Sequence, residues 1–348
     1  MKDPTSTLTL AAPDNEQLRW NRLAAKVDDE VGDSARVIHV MDREADDYKL
    51  FADIVGRESG FVVRLFRDRT LASSDRTNES PTKPSNKMFE AMESSPVQAR
   101  REFEVSARPA KGSKQNQKIH PPRKARTASV EIRAGTVELK RSGCSDPALP
   151  KSLRLNAVLV RETEAPPGEA PVVWRLLTTE SVNTPEQVER VIDIYRKRWT
   201  IEEFFKALKS GCAYEKRQLE SRHALLNALA VFSAVAWRLL LLRWLDRNAH
   251  DSPAHAALSP SQVEALQAVA PRYQLKLPQR LTVHDALMAI ARLGGHIRNN
   301  GSPGWMVLGR GFDRLLLIEQ GFLAARESAL NPEGPGDHQG ERASCDQS

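Results

Sequence analysis

Arg36-Val37-Ile38-His39-Val40-Met41-Asp42-Arg43-Glu44-Ala45-Asp46 is an apolar run closed by an acidic box, and its reading decides the fold. Such a near-continuous apolar stretch suits a strand buried on both faces of a parallel sheet. Asp42 then stands at the carboxyl end of the strand, where open α/β sheets place their sites. It also precedes a helical segment, and on position alone a helix cap is the slightly better reading of it. His39 reads as a hydrogen-bonded core residue rather than a ligand. Upstream, Asp14 and Gln17 form a capping box, Trp20, Leu23, Ala24, Val27 and Val31 follow at helical spacing, and Gly32 ends the run. Downstream, Tyr48 to Val55 reads as a helix and Phe61 to Phe66 as a second strand. Helix, strand, helix, strand is the rhythm of an α/β domain.

That rhythm stops at Ala72 to Lys87, a stretch of Ser, Thr, Pro, Asn and charge that reads as a loop. From Arg101 to Thr179 the signals are β: Phe103 with Val105, Val130 with Ile132, Val137 with Leu139, then Leu155 to Val160 and Val172 to Leu177. Within this block lies a basic segment carrying Lys111, Lys114, Lys118, Arg123, Lys124 and Arg126. It has no interleaved aromatics, so it reads as tracking phosphates rather than bases, or as a solvated loop. Helices resume at Thr184-Pro185-Glu186-Gln187, an N-cap with Pro at the first helical position. They continue to about Asn248, and a further group runs from Ser259 to about Glu327. The expected divisions are 1–71 for a partial core, 72–171 for a β insertion with its linker, 172–250 for the rest of the core, 251–330 for a helical region, and 331–348 for a disordered tail.

Fifty-one Lys and Arg against forty-five Asp and Glu give the 348-residue chain a net charge of +6, which favours an anionic partner. Three scattered cysteines make neither a disulfide framework nor a metal site and suit a reducing compartment. The first residues lack the apolar stretch of a secretory signal. Ala224 to Leu242 is mostly apolar, but Asn227, Ser233 and Arg238 interrupt it, so a helix buried in protein is expected rather than a membrane span.

The densest constellation is Tyr195-Arg-Lys-Arg198-Trp199-Thr200-Ile-Glu202-Glu203-Phe-Phe-Lys206-Ala-Leu-Lys209. On an α-helix Glu202 and Lys209 are two turns apart and on one face. The apolar stripe of Val188, Val191, Ile192, Tyr195 and Trp199 is out of phase with that of Ile201, Phe204, Phe205 and Leu208. A helix break at Thr200, which forms a capping box with Glu203, reconciles the two stripes. The charges alone would read as a solvated helix face.

Together the two constellations resemble the insertion-sequence Four family of bacterial DDE transposases. The acidic box matches their Asp-Arg-Glu-Ala-Asp motif, and Tyr195, Arg198, Glu202 and Lys209 match their Tyr-x2-Arg-x3-Glu-x6-Lys signature at every spacing. The likeness runs from Arg36 to Ser221, through Pro121-Pro-Arg-Lys-Ala-Arg126 and Val173-Trp174-Arg-Leu-Leu-Thr-Thr179. It implies an α/β fold of the ribonuclease-H-like kind, a mixed sheet with a β-strand insertion, followed by a helical region. It implies three carboxylates holding two Mg²⁺ ions for phosphoryl transfer, with Asp42 the second and Glu202 the third, and Glu44 and Asp46 as supporting or capping groups. Arg198 and Lys209 would neutralise phosphates, Tyr195 would contact the phosphate of a flipped nucleotide, and Trp174 would stack on its base. Trp174 also reads as an ordinary strand aromatic. The implied partners are double-stranded DNA, as transposon ends and target, and a second copy bound through the faces of Leu281, Val283, Ala286, Leu287 and Ile290. The implied location is the bacterial cytoplasm, at the nucleoid.

The resemblance also predicts a gap. The family's first carboxylate lies on a strand well upstream of the first helix, but only Met1 to Pro13 precede that helix here, with Thr5 to Leu10 forming one short strand at most. Asp28, Asp29, Glu30 and Asp33 lie at the end of the helix, in the wrong element. The expectation is an amino-terminally shortened transposase, whether a decayed gene, a mis-called start or half of a split frame, that binds DNA without cutting it. The alternative is a non-catalytic DNA-binding or dimerising remnant.

Overall fold

The apolar run does become a parallel strand. A computed structural model describes residues 16–72, 86–108, 110, 121–143, 145–297 and 301–330. Helix α1 (Glu16–Val31) leads into β1 (Ile38–Met41), and α2 (Tyr48–Gly56) connects β1 to β2 (Gly60–Arg64). The two strands run parallel, with His39 opposite Phe61 and Met41 opposite Val63. Asp47 caps α2 by accepting from the amides of Lys49 and Leu50. Burial of β1 falls short of the expectation, since only Met41 is fully covered. Among the described residues β1 is an edge strand with β2 as its single neighbour, whereas β2, one strand further in, is buried from Gly60 to Val63.

The expected β insertion is real, but its strands prolong the same sheet. A short helix, α3 (Met88–Ser94), precedes β3 (Val97–Val105), β4 (Arg126–Lys140), β5 (Ser152–Glu162) and β6 (Val173–Thr178). The order is β1-β2-β6-β5-β4-β3, and every pair beyond β1 and β2 is antiparallel. The mixed α/β sheet is of the ribonuclease-H-like kind. Alternation along β2 builds a core on each face. Phe61 and Val63 pack with Leu50, Phe51, Ile54 and the α3 residues Met88 and Met92. Val62 packs on the opposite face with Ile132, Val158 and Leu176, beneath Val188, Val191 and Ile192 of α4 (Pro185–Arg196). Helix α4 starts as expected: Thr184 accepts from the Gln187 amide, and the Gln187 side chain accepts from the Asn183 amide.

The chain divides into two compact units, residues 1–198 and 199–348. The second is helical. Its elements are α5 (Trp199–Lys206), a π-helical turn (Ala207–Gly211), α6 (Arg222–Asn248), α7 (Pro260–Val269), α8 (Val283–Leu293) and α9 (Trp305–Leu330). Ser259 with Gln262 and Thr282 with Asp285 make complete capping boxes at α7 and α8. Two glycines let α9 approach its neighbours backbone to backbone. A Cβ on Gly311 would lie 1.8 Å from the Ile290 carbonyl oxygen, and one on Gly309 would lie 2.0 Å from that of Gly211.

Two expectations fail in this unit. The Leu281, Val283, Ala286, Leu287 and Ile290 faces, expected at a dimer contact, are buried in the unit's own core with Leu266, Leu308 and Leu315. Helix α6, expected to be buried, covers only Ala236, Leu239, Leu240 and Leu242, while Val231, Trp237 and Trp244 are each more than half exposed. Only 22% of its most apolar window is buried, and by length and composition the helix could cross a bilayer. An all-round apolar sequence carries no sign of which face meets protein, and α6 packs along one side only.

Candidate active site

Asp42 follows the last residue of β1. Its Oδ1 accepts from the Glu44 amide at 3.1 Å, capping a turn of 3₁₀ helix over Arg43–Ala45. Its Oδ2 lies 4.0 Å from the Arg198 guanidinium, and the carboxylate is 41% exposed. Asp42 is therefore both a cap and an accessible acid facing a cation. Asp46 has a different task. It is 3% exposed, and its carboxylate accepts from the amides of Phe66 and Arg67, each at 2.8 Å, and from Arg69. This brace ties the end of the acidic box to the chain leaving β2.

Arg64, the last residue of β2, is a site residue that sequence reasoning missed. The parallel register that sets Met41 opposite Val63 brings the carboxyl ends of β1 and β2 together. Arg64 donates to the Val173 carbonyl at 2.9 Å and is hydrogen-bonded to Tyr195. Burial pushes its guanidinium pKa below the usual value; Tyr195 opposes this, and the nearby charges of Arg43 and Arg198 add to it. Arg43 and Arg198 thus lie near Arg64, and Arg198 also faces the half-exposed Asp42 carboxylate. An arginine ending an apolar strand beside the Asp42 strand was the available signal.

Tyr195 is 7% exposed on α4. Trp174 on β6 is partly buried, meeting Tyr195 edge to face at 5.7 Å and stacking on Phe103 at 5.4 Å. The basic segment behaves differently from expectation. Arg126 is bonded to Glu162 at 2.9 and 3.0 Å and paired with Glu169, leaving its side chain 12% exposed, so it is not available to a phosphate. Burial opposes, but does not outweigh, the Glu162 hydrogen bonds that hold the Arg126 pKa above its usual value. Arg123 donates to the Ser106 carbonyl, and Lys124 is exposed. Lys111, Lys114 and Lys118 lie outside the described residues, as do Asp14, Thr5 to Leu10 and the tail from Asn331.

The expected helix break occurs, but at Lys197 and Arg198 rather than Thr200. The amides of Lys197 and Arg198 turn back onto Ile194 and Tyr195, closing α4, and Thr200 lies inside α5. In the second unit Glu202 is partly buried on α5, and Lys209 sits on the π-helical turn, 2.9 Å from Glu215. The wider turn alters the phase after Lys206, so the straight-helix placement of Glu202 and Lys209 on one face does not apply. Glu203 takes Arg247 at 3.0 Å.

Asp28 is engaged elsewhere. It accepts from Ser59 and bonds His39, which faces the core of Phe61, opposite to the Asp42 side. His39 is thereby satisfied, as expected. Among the described residues no group of three or more His, Cys, Asp or Glu could hold a metal ion.

A family model described as the transposase DDE domain matches residues 20–237. The chain belongs to the DDE transposase family. The match takes in Asp42, Arg64, Tyr195, Arg198, Glu202 and Lys209. The family acts on DNA and generally uses a divalent metal. Asp42 and Glu202 have the hard oxygen donors such an ion prefers. The described residues do not complete a three-ligand group, however.

Proposed function

We propose that this DDE transposase belongs to the insertion-sequence Four branch, and that Asp42 and Glu202 are two of the three carboxylates that would hold Mg²⁺. The observation that carries the DNA reading is the cluster of Arg64 with Arg43 and Arg198 at the carboxyl ends of two parallel strands, where Arg198 also faces Asp42 at 4.0 Å. Crowded guanidiniums weaken one another, and a phosphate between them relieves that repulsion while accepting their hydrogen bonds. The family reactions are hydrolytic nicking and attack by the freed 3′-hydroxyl on target DNA, in a pair of subunits at the bacterial nucleoid.

A second reading, a DNA-binding protein that does not cut, is favoured by the missing three-ligand group among the described residues. One experiment separates them. Residues 1–348 are incubated with supercoiled DNA and Mg²⁺ or Mn²⁺, with Asp42→Asn and Glu202→Gln as controls. Binding without nicking is the expected result. Metal-dependent nicking lost in both variants would establish the enzyme reading and overturn the non-cutting one. Failure to bind DNA at all would overturn both.

A further inference from the structure

Phe66 stands two residues beyond Arg64 and is 68% exposed, a high value for a large apolar side chain beside a charged site. Its backbone is held firmly. The Leu65 amide donates to the Arg175 carbonyl at 2.7 Å, and the amides of Phe66 and Arg67 both donate to the buried Asp46 carboxylate. Three consecutive amides are thus fixed by partners within the unit, while the ring they carry faces outward. A carboxylate taken out of water must be fully bonded to be tolerated, so Asp46 holds these amides and with them the backbone that carries the ring. The turn is built to a shape, and the shape displays an aromatic ring.

The neighbourhood says what that ring would meet. Arg64 precedes it on β2, exposed Arg67 follows it, and Asp46, its brace, closes the box that Asp42 opens. A phosphate-binding cluster with an exposed ring at its margin has the two components of a single-strand platform: cations for the backbone and a π-face for a base. Trp174 stands in contrast, since its ring is already packed between Phe103 and Tyr195.

We propose that Phe66 is a base-stacking residue, laying its ring against an unpaired or terminal DNA base next to the phosphate held by Arg64 and Arg198. The inference rests on the DNA reading of the same site and adds the group that meets the base. Stacking is a non-electrostatic contact, so its removal leaves the salt dependence unchanged.

The test measures binding of residues 1–348 and the Phe66→Ala, Phe66→Leu and Phe66→Trp variants to a hairpin with a single-stranded overhang, over a salt series. Phe66→Ala is expected to weaken binding by about five- to a hundred-fold with the salt slope unchanged, Phe66→Trp to retain affinity, and Phe66→Leu to fall between. Scanning the DNA with abasic nucleotides should find one position where the Phe66→Ala loss disappears. Phe66→Ala within two-fold of the parent, a changed salt slope, or no abasic position that removes the loss would each overturn the stacking role while leaving the DNA reading standing. A parent chain that binds none of these DNAs would overturn that reading and the stacking role with it.

Discussion

Replacing Gly311 by Ala adds one methyl group, and the surroundings turn that small addition into a test of the helical unit. The new Cβ would lie 1.8 Å from the Ile290 carbonyl oxygen and 3.1 Å from the Gly294 amide nitrogen. Carbon and oxygen do not approach within roughly 3 Å in packed interiors, so α9 must retreat from α8 by roughly 1 Å. The obstacle is backbone inside a helix and cannot rotate aside. Overpacking costs about 1–3 kcal/mol, and a rigid obstacle argues for the upper end. Alanine's better helix propensity returns about 0.8–1.0 kcal/mol, leaving a net loss of about 2 kcal/mol. For a unit of this size that lowers the melting temperature by about 4–8 °C. Gly321 supplies the control: it lies on the same helix, is exposed, and its added Cβ would touch nothing within 4 Å. Gly321→Ala should raise the melting temperature by about 2–4 °C. Both are read by circular dichroism at a fixed scan rate. A Gly311→Ala protein melting at or above the parent would refute the close approach of α8 and α9.

Removing the Asp46 carboxylate should be worse than removing the pair it makes. Asp46→Ala leaves Arg69 and two amides without their acceptor and should cost about 3–5 kcal/mol, whereas Asp46→Ala with Arg69→Met should recover part of that. Hydrogen exchange at the Phe66 and Arg67 amides reports it, and unchanged protection in Asp46→Ala would contradict the brace. The Cys212 thiol is pushed up to about 11, chiefly by burial, with Asp313 adding and Arg217 opposing. Its folded pKa exceeds its unfolded one, so the stabilisation is complete below about pH 8.5 and is lost as pH rises through the folded value. Alkylation near pH 8, followed by peptide mapping, should find Cys212 protected until denaturant is added; equal labelling in both states would refute its burial. Arg198→Ala should flatten the slope of log affinity against log salt by about 0.9, and Arg126→Ala should leave it unchanged. Equal effects would show that Arg126 is free to meet DNA after all.

The parts that were legible in the sequence are those set by local chemistry. Thr184 is a cap whatever surrounds it, and an apolar run ending in Asp42 makes a strand with an acid at its tip. What was not legible depends on partners distant in sequence. The alternating pairs Val130 with Ile132 and Val137 with Leu139 belong to one 15-residue strand, β4, which continues through Gly135, a glycine that faces Ser95. Arg126 looked like a free cation because Glu162 and Glu169 come from elsewhere in the chain. Arg64 had no mark inside the Phe61 to Phe66 segment, because its place depends on β2 lying beside β1 and on Tyr195 from a later helix. The π-helical turn under Lys209 has no sequence mark of its own, since the Gly309 that reaches its Gly211 end lies on a later helix. Helix α6 misled in the other direction, because hydropathy reports composition and not which side is covered.

The pairing of β2 with β6 also sets an order of events at the ribosome. Val62 has Thr178 as its partner, and between them the chain must first make β3, β4 and β5. At about 5–20 residues per second, β1 and β2 wait on the order of 5–20 s for the strand that completes their sheet. During that interval β2 has an open edge on the side β6 will later occupy, with Phe61, Val62 and Val63 in it. Slowing translation between β2 and β6 should therefore lower the soluble yield of this chain, even though every finished molecule has the same sequence and the same fold.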